Sequence, residues 1–323
     1  MTILLVVSLD TEEDNWHRSR DGVTVANIRE LPRQARFFER LGVRPTYFTT
    51  YQVAIDPCAA DVMREVAATA ELGAHLHPWN TPPLDEAFTP RNSMVKNLPA
   101  DLQRAKLERL TAALAEAFGQ APTAFRAGRY GIGVDTIAAL VAGGYSVDSS
   151  VSPTVDLRPT DDGPTFVGAP LTPYRLAPGR DIRDPAPDGP IVEVPLSYGF
   201  NRGPFRFSGA VRRSLEAAPL SWLRLDGVAS RTGLLRRLSL SPEFQSAGDM
   251  LTLSARLLEH GVGHLHVSWH TPSLTPGLSP FAPTATAVER LYATIEDYVT
   301  GLAGLTSFRF ATVSEAARVQ EHR

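Results

Sequence analysis

The chain of 323 residues holds a single cysteine, Cys58, which excludes an intrachain disulfide and any zinc site built from several thiolates. With no partner thiol or redox motif beside it, Cys58 is expected as a small buried apolar residue. Long hydrophobic runs are also missing, and nothing approaches the ~20 apolar residues of a membrane span. The run Ile3-Leu4-Leu5-Val6-Val7 is too short for the core of a secretory leader and no cation precedes it, so a cytoplasmic protein is expected. Charge of one sign is not in excess either. The net charge is -3, so bulk charge gives no reason to expect nucleic acid as a partner. Neither internal repeats nor low-complexity tracts occur, which sets aside solenoids and disordered chains.

What is present fits a globular α/β protein. Hydrophobic residues make up 43% and charged residues 21%, and a chain this long can bury a sizeable core. Ile3–Leu9 has the composition of a strand buried on both faces. Helical spacing runs over Asn27–Leu41 and stops at Gly42, followed by a strand at 45–50 and a helix around Cys58–Ala70. A short strand over 71–77 precedes a Pro-rich loop, then the helix Leu102–Phe118, a strand end at 124–126, the helix Val134–Ala142 and a strand at 145–148. Such alternation predicts parallel βαβ units in one domain. Residues 152–190 are rich in Pro, Gly and Asp and read as long loops or an edge hairpin before the strand at 191–195. Residues 200–240 read as an inserted helical segment. Alternation then resumes: helix 249–260, strand 264–269, loop 270–285, helix 286–302, strand 307–310 and a last helix.

Four polar clusters stand at predicted strand ends, where an α/β barrel gathers its catalytic residues. In Asp10-Thr11-Glu12-Glu13-Asp14, Asp10 and Glu12 share a face of an extended chain, so one can hold a metal while the other takes a proton from water. A solvated acidic loop would carry the same residues. In His75-Leu76-His77-Pro78-Trp79, two histidines two apart can chelate one ion. One of them capping a loop and the other packing on Trp79 would also fit. Phe125-Arg126-Ala127-Gly128-Arg129-Tyr130-Gly131 offers a cation to hold a carboxylate ionised and glycines that admit backbone N–H groups to an oxyanion, although a surface Arg in a turn has the same appearance. In His264-Leu265-His266-Val267-Ser268-Trp269-His270, alternate residues share one face. His270 lies at the end, where a general acid would stand, and His264 lies deeper, as a structural histidine would.

The order and spacing of these clusters resemble the polysaccharide deacetylases (carbohydrate esterase family 4), over roughly residues 3–150 and 250–315. The resemblance implies a distorted (β/α) barrel that uses a divalent metal, often zinc, to remove acetyl groups from N-acetylated sugars. Ser8-Leu9-Asp10-Thr11-Glu12 is similar to the motif carrying the base, which implies Asp10 as base. The ligand position directly after the base is Thr11 here, and Glu12 takes over as the metal ligand. Thr46-Tyr47-Phe48 resembles a structural strand of the family. Gly73-Ala74-His75 resembles the start of a His-x-x-x-His metal motif whose second position is Trp79, which cannot ligate, and His77 substitutes. Arg126-Ala127-Gly128 resembles the Arg motif that orients the base, with Gly128 in place of a usual proline.

Carried over in this way, Glu12, His75 and His77 hold the metal, Asp10 is the base, Arg126 keeps it ionised, and His270 is the acid with Asp148 in support. Trp79, Tyr130 and Trp269 are expected against the sugar ring. Two other readings stay open. One is a related hydrolase of cyclic amides or ureides, in which loops 81–99 and 152–190 would close a small pocket. The other is a saccharide-binding homologue without activity, which the broken His motif favours.

Overall fold

A computed structural model describes residues 2–14, 19–205, 208–209 and 235–321. Its frame is a curled sheet around β1 (Ile3–Thr11), which is buried along its whole length. Strands β2 (Thr46–Thr49), β3 (Glu71–Leu76), β4 (Ala124–Ala127), β5 (Val147–Asp148), β6 (Tyr174–Leu176) and β7 (Ile191–Glu193) follow in the chain, then β10 (His264–His270) and β11 (Phe308–Ala311). In space the order is β10-β1-β2-β3-β4-β5-β7-β6, and β11 also pairs with β1. One edge of β1 is shared between two partners. β11 lies along Ile3–Val6 and β2 along Ser8–Thr11. Neighbours are parallel except the edge pair β6–β7, so strand ends carrying polar residues gather on one rim.

The result is a half-barrel rather than a regular closed one. The gap between β7 and β10 is bridged by irregular chain. Leu240 N–H donates to Ser197 O (3.0 Å), Ser268 N–H donates to Leu240 O (3.0 Å), and His266 N–H donates to Ser197 Oγ (2.9 Å). The antiparallel pair β8 (Tyr198–Phe200) and β9 (Arg237–Ser239) brings Leu240 back to this gap. That pair brackets the expected helical insertion, whose residues 206–207 and 210–234 lie outside the described residues.

Helices cover the outer face: α1 (Leu31–Leu41), α2 (Tyr51–Ile55), α3 (Pro57–Val66), α4 (Ala100–Phe118), α5 (Val134–Ala142), α6 (Ala247–Glu259), α7 (Ala285–Leu305) and α8 (Val313–Glu321). Leu5, Leu9, Phe38, Leu265, Trp269 and Ile295 belong to one core cluster, and Leu107, Leu110, Phe125 and Ile137 to a second. Two local expectations change. The helix expected from Asn27 begins as a 3-10 turn over Ala26–Glu30, and α1 starts only at Leu31, with Pro32 among its first two residues. A proline has no N–H to continue the preceding turn and is tolerated at a helix start. Gly42 closes α1 at φ 73°, a left-handed cap that glycine takes without strain. Cys58 is exposed, not buried, because the first turn of α3 faces it outward while Ala59 and Ala60 pack inward. Among the described residues no helix is long and apolar enough to cross a membrane.

Candidate active site and metal centre

Glu12, just beyond β1, His75, near the end of β3, and His77, just beyond it, converge and are all buried. Glu12 Oε2 lies 3.6 Å from His75 Nε2 and 3.2 Å from His77 Nε2. Each ring is fixed from behind. His75 Nδ1–H donates to Arg126 O (3.0 Å) and His77 Nδ1–H to Glu13 Oε2 (2.8 Å). With the hydrogens committed there, both Nε2 lone pairs point toward a carboxylate oxygen. When both Nε2 atoms are unprotonated, the three groups face one another as a set that could hold a cation. Two ligands at about 2.0–2.1 Å from a tetrahedral ion stand about 3.3 Å apart, so the spacing fits a divalent metal of the zinc kind. Burial alone would lower the His77 pKa, yet Glu13 and Glu12 raise it to about 10. Protonation of His77 therefore competes with any cation that the group would hold.

Glu13 went unassigned in the sequence because it is one of several acids in a row. The chain leaves the regular strand after Thr11, so Glu12 and Glu13 can both turn toward the histidines. Asn80 Nδ2 donates to Glu13 Oε1 (3.0 Å), and Asp14 accepts from the N–H groups of Ala26 and Asn27, which ties down the chain after β1.

Asp10 pairs with His270 in the β1–β10 register, which sets the two side chains on the same rim. Its Oδ1 accepts from Arg126 Nη1 at 2.6 Å, while Oδ2 faces His75 Nε2 and His270 Nε2, each at 3.7 Å. Burial opposes ionisation of Asp10, but the Arg126 guanidinium, with His75 and His270, holds its pKa below the usual carboxylate value. Arg126 is fully buried, and its donors are satisfied by Ser149 O, Ser8 Oγ, Ser149 Oγ and Ser268 Oγ besides Asp10, with Phe48 beneath its plane at 4.2 Å.

The carboxylate behind His270 is Glu243, not Asp148. His270 Nδ1–H donates to Glu243 Oε2 (2.8 Å), and Glu243 Oε1 accepts from His270 N–H and from the Ser273 hydroxyl. Burial lowers the His270 pKa, but Glu243 and Glu12 raise it to about 10, so the ring is cationic at neutral pH. Asp148 is instead engaged with Ser150, two residues on, and with Glu193 on β7. Ser150 Oγ donates to it at 2.7 Å, and burial against Glu193, its register partner, raises the pKa of both carboxyl groups. Such a pair is best served by one shared proton.

A cavity of about 430 Å³ opens over this rim, lined by Asp10, Glu12, His75, His77 and His270 together with Trp79 and Tyr130. Trp79 stacks on His77, ring centroids 4.1 Å apart. Trp269 does not reach the cavity. It alternates with His270 along β10, so it points to the opposite face and packs edge-on against Phe38 in the core. His264 and His266 are inside but not at the rim; Pro195 O and Ser8 Oγ respectively occupy their Nε2 atoms.

No family model matches the sequence, and no curated protein matches it. Solved structures do. A Mycobacterium smegmatis protein assigned as a polysaccharide deacetylase superimposes over 99% of this chain and 91% of its own, with TM-score 0.55 and 17% identity. The chain has the polysaccharide deacetylase fold. A glycoside hydrolase/deacetylase assignment from Parabacteroides distasonis agrees, at TM-score 0.59 and 14% identity over 99% of this chain and 71% of that one. Identities this low establish the fold of a polysaccharide deacetylase and nothing further, so the chemistry rests on the side chains above.

Proposed function

We propose that the protein is a metal-dependent amide hydrolase that removes an acyl group from nitrogen, with an N-acetylated amino sugar as the substrate type. The observation that carries the reading is the placement of Asp10 Oδ2, 3.7 Å from both His75 Nε2 and His270 Nε2. A base thus stands between the metal triad and a cationic acid. Glu12, His75 and His77 would hold the ion, which when bound polarises the acyl carbonyl and acidifies water. Asp10 accepts the water proton through its open oxygen, since Arg126 engages the other and keeps the group ionised. The oxygen of that water bonds to the carbonyl carbon, the bond from this carbon to nitrogen breaks, and His270 delivers a proton from Nε2 to the departing nitrogen, leaving a carboxylic acid and an amine. Glu243 keeps that ring charged and oriented from Nδ1. Trp79 and Tyr130 bound the space left for the ring.

A second reading has its own observation. Met94, Leu157 and Thr160, from the loops expected to close over a small cyclic amide, do line the cavity. Activity of zinc-loaded protein on N-acetylglucosamine and on a cyclic amide such as hydantoin separates the two. Asp10→Asn should fold, keep its metal and lose about 10²–10⁴ in rate, the usual share of a general base. An Asp10→Asn variant within a few-fold of the parent on every substrate would remove Asp10 as base.

A further inference from the structure

We infer that the substrate is a small single-ring compound rather than a polymer chain, and that Arg129 and Asp161 determine this by latching a wall across one side of the cleft. The inference rests on the amide hydrolase reading for its chemistry, though not for its geometry. The cavity, about 430 Å³, falls in the lower part of the ~300–1,000 Å³ of small-molecule sites. One side consists of three loop segments, which bring Met94, Tyr130 and Leu157 to the lining. The Tyr130 segment is the 3-10 turn directly after β4, while Met94 and Leu157 lie in connections farther along the chain from β3 and β5.

The segments are stitched to one another. Arg129 makes an ion pair with Asp161 (2.8 Å) and also donates to the Ser93 hydroxyl. Asn97 Nδ2 donates to Asp161 O (3.0 Å), Arg91 pairs with Asp162 (3.0 Å), and Lys96 N–H donates to Gly131 O (2.8 Å). The approach is close enough that only glycine fits at two contacts. A β-carbon on Gly131 would stand 2.9 Å from Met94 Cα, and one on Gly163 would stand 2.7 Å from Leu157 Cβ and 3.1 Å from Met94 Cε.

Backbone conformation points the same way. Arg129, Tyr130, Asp161 and Asp162 all sit at left-handed φ, between 53° and 56°. Non-glycine residues rarely adopt that region, and such strain persists only where the surroundings enforce it. Both halves of the Arg129–Asp161 pair are held in this way, so the latch is a built feature and not a chance surface contact. A polymer lying along the rim would have to cross this wall. A single ring can enter from the mouth with its acyl group toward Asp10 and His270.

Binding and turnover of three probes test the idea: N-acetylglucosamine, its linear tetramer, and hydantoin as a second single ring, all against zinc-loaded protein. Asp161→Asn removes the charge of the latch and keeps a residue that tolerates left-handed backbone. The expected result is that a single-ring probe binds, by calorimetry, at least about tenfold more tightly than the tetramer, and that Asp161→Asn narrows the gap by a similar factor. Wild-type protein that binds or cleaves the tetramer as well as the single ring overturns the wall, while leaving the hydrolase reading intact. Failure of every single-ring probe to bind also overturns it. Selective binding of a single-ring probe without turnover would keep the wall and sink the hydrolase reading instead.

Discussion

Gly128 leaves the space that the His77 ring occupies. A β-carbon on Gly128 would stand 2.6 Å from His77 Cδ2 and 2.6 Å from the Leu76 carbonyl oxygen. The His77 ring and the missing side chain at Gly128 thus fit one another, because any larger residue at the facing strand end would meet the ring. Gly128→Ala should fold and lose about tenfold or more in zinc affinity, because the ring cannot move away from both backbone and Glu13. Competition with a chromophoric chelator reads the affinity, and circular dichroism checks the fold. Undiminished zinc affinity would separate the two residues.

Glu13 should matter to metal binding without being a ligand. Partners behind a metal-bound histidine typically contribute 10–100-fold in affinity. Glu13→Gln is expected to weaken zinc binding by about that factor, whereas Glu12→Gln removes a ligand and should weaken it more. The same chelator titration ranks the two. Equal losses would mean that both carboxylates reach the ion.

Glu243 should set the alkaline limit of activity. His270 must be protonated to act as an acid, and its pKa of about 10 stands above the ordinary value of about 6.5. Activity should therefore fall as pH rises above the ordinary histidine range, since Glu243 still raises the His270 pKa when Glu12 carries the metal, and Glu243→Gln should move that fall toward neutrality. The stability effect has the same sign. A raised folded-state pKa stabilises fully below about 6.5 and is lost as pH climbs toward 10. Asp148→Asn, remote from the acid, should leave the alkaline limb where it is. The profile of kcat/KM against pH for both variants decides the assignment, and a shift with Asp148→Asn alone would return the role to Asp148.

Lys106 should be a structural cation for the loop that carries Trp79. Its buried ammonium donates to Pro78 O, Thr81 O and Pro83 O and pairs with Glu86 at 3.0 Å. Lys106→Met leaves three carbonyls and a carboxylate short of a donor, and removing one partner of a buried pair costs about 3–5 kcal/mol. Urea unfolding of Lys106→Met should show a loss of that order; a loss below about 1 kcal/mol would mean that Arg20, also paired with Glu86, holds the loop by itself.

Where side chains follow strand parity, the sequence was readable. His75, which lies on β3, and His77, just beyond it, come together as their spacing suggests, and Asp10 and His270 meet through the β1–β10 register. Parity also excludes Trp269 from the rim, since His264, His266, Ser268 and His270 take the inner face. Glu243 was not readable. It lies 27 residues before His270, past a hairpin whose pairing no local pattern announces. Asp148 drew attention by its motif, but its carboxyl group turns to Glu193, a partner fixed only when β7 docks. The loops that wall the cavity showed their turn residues in the sequence, while their mutual ion pairs depend on the folded chain.

The divided edge of β1 governs when a site can exist during synthesis. Ile3–Val6 wait for Phe308–Ala311, and Leu4–Asp10 wait for His264–His270. Contacts across such separations form late, after the entropy of closing a very long loop has been met. A nascent chain that has reached residue 200 can pair β1 with β2, but its opposite edge stays bare and apolar, open to stray strands. Asp10 has no His270 beside it until that edge is covered, so the two side chains meet in the same event that pairs the bare edge.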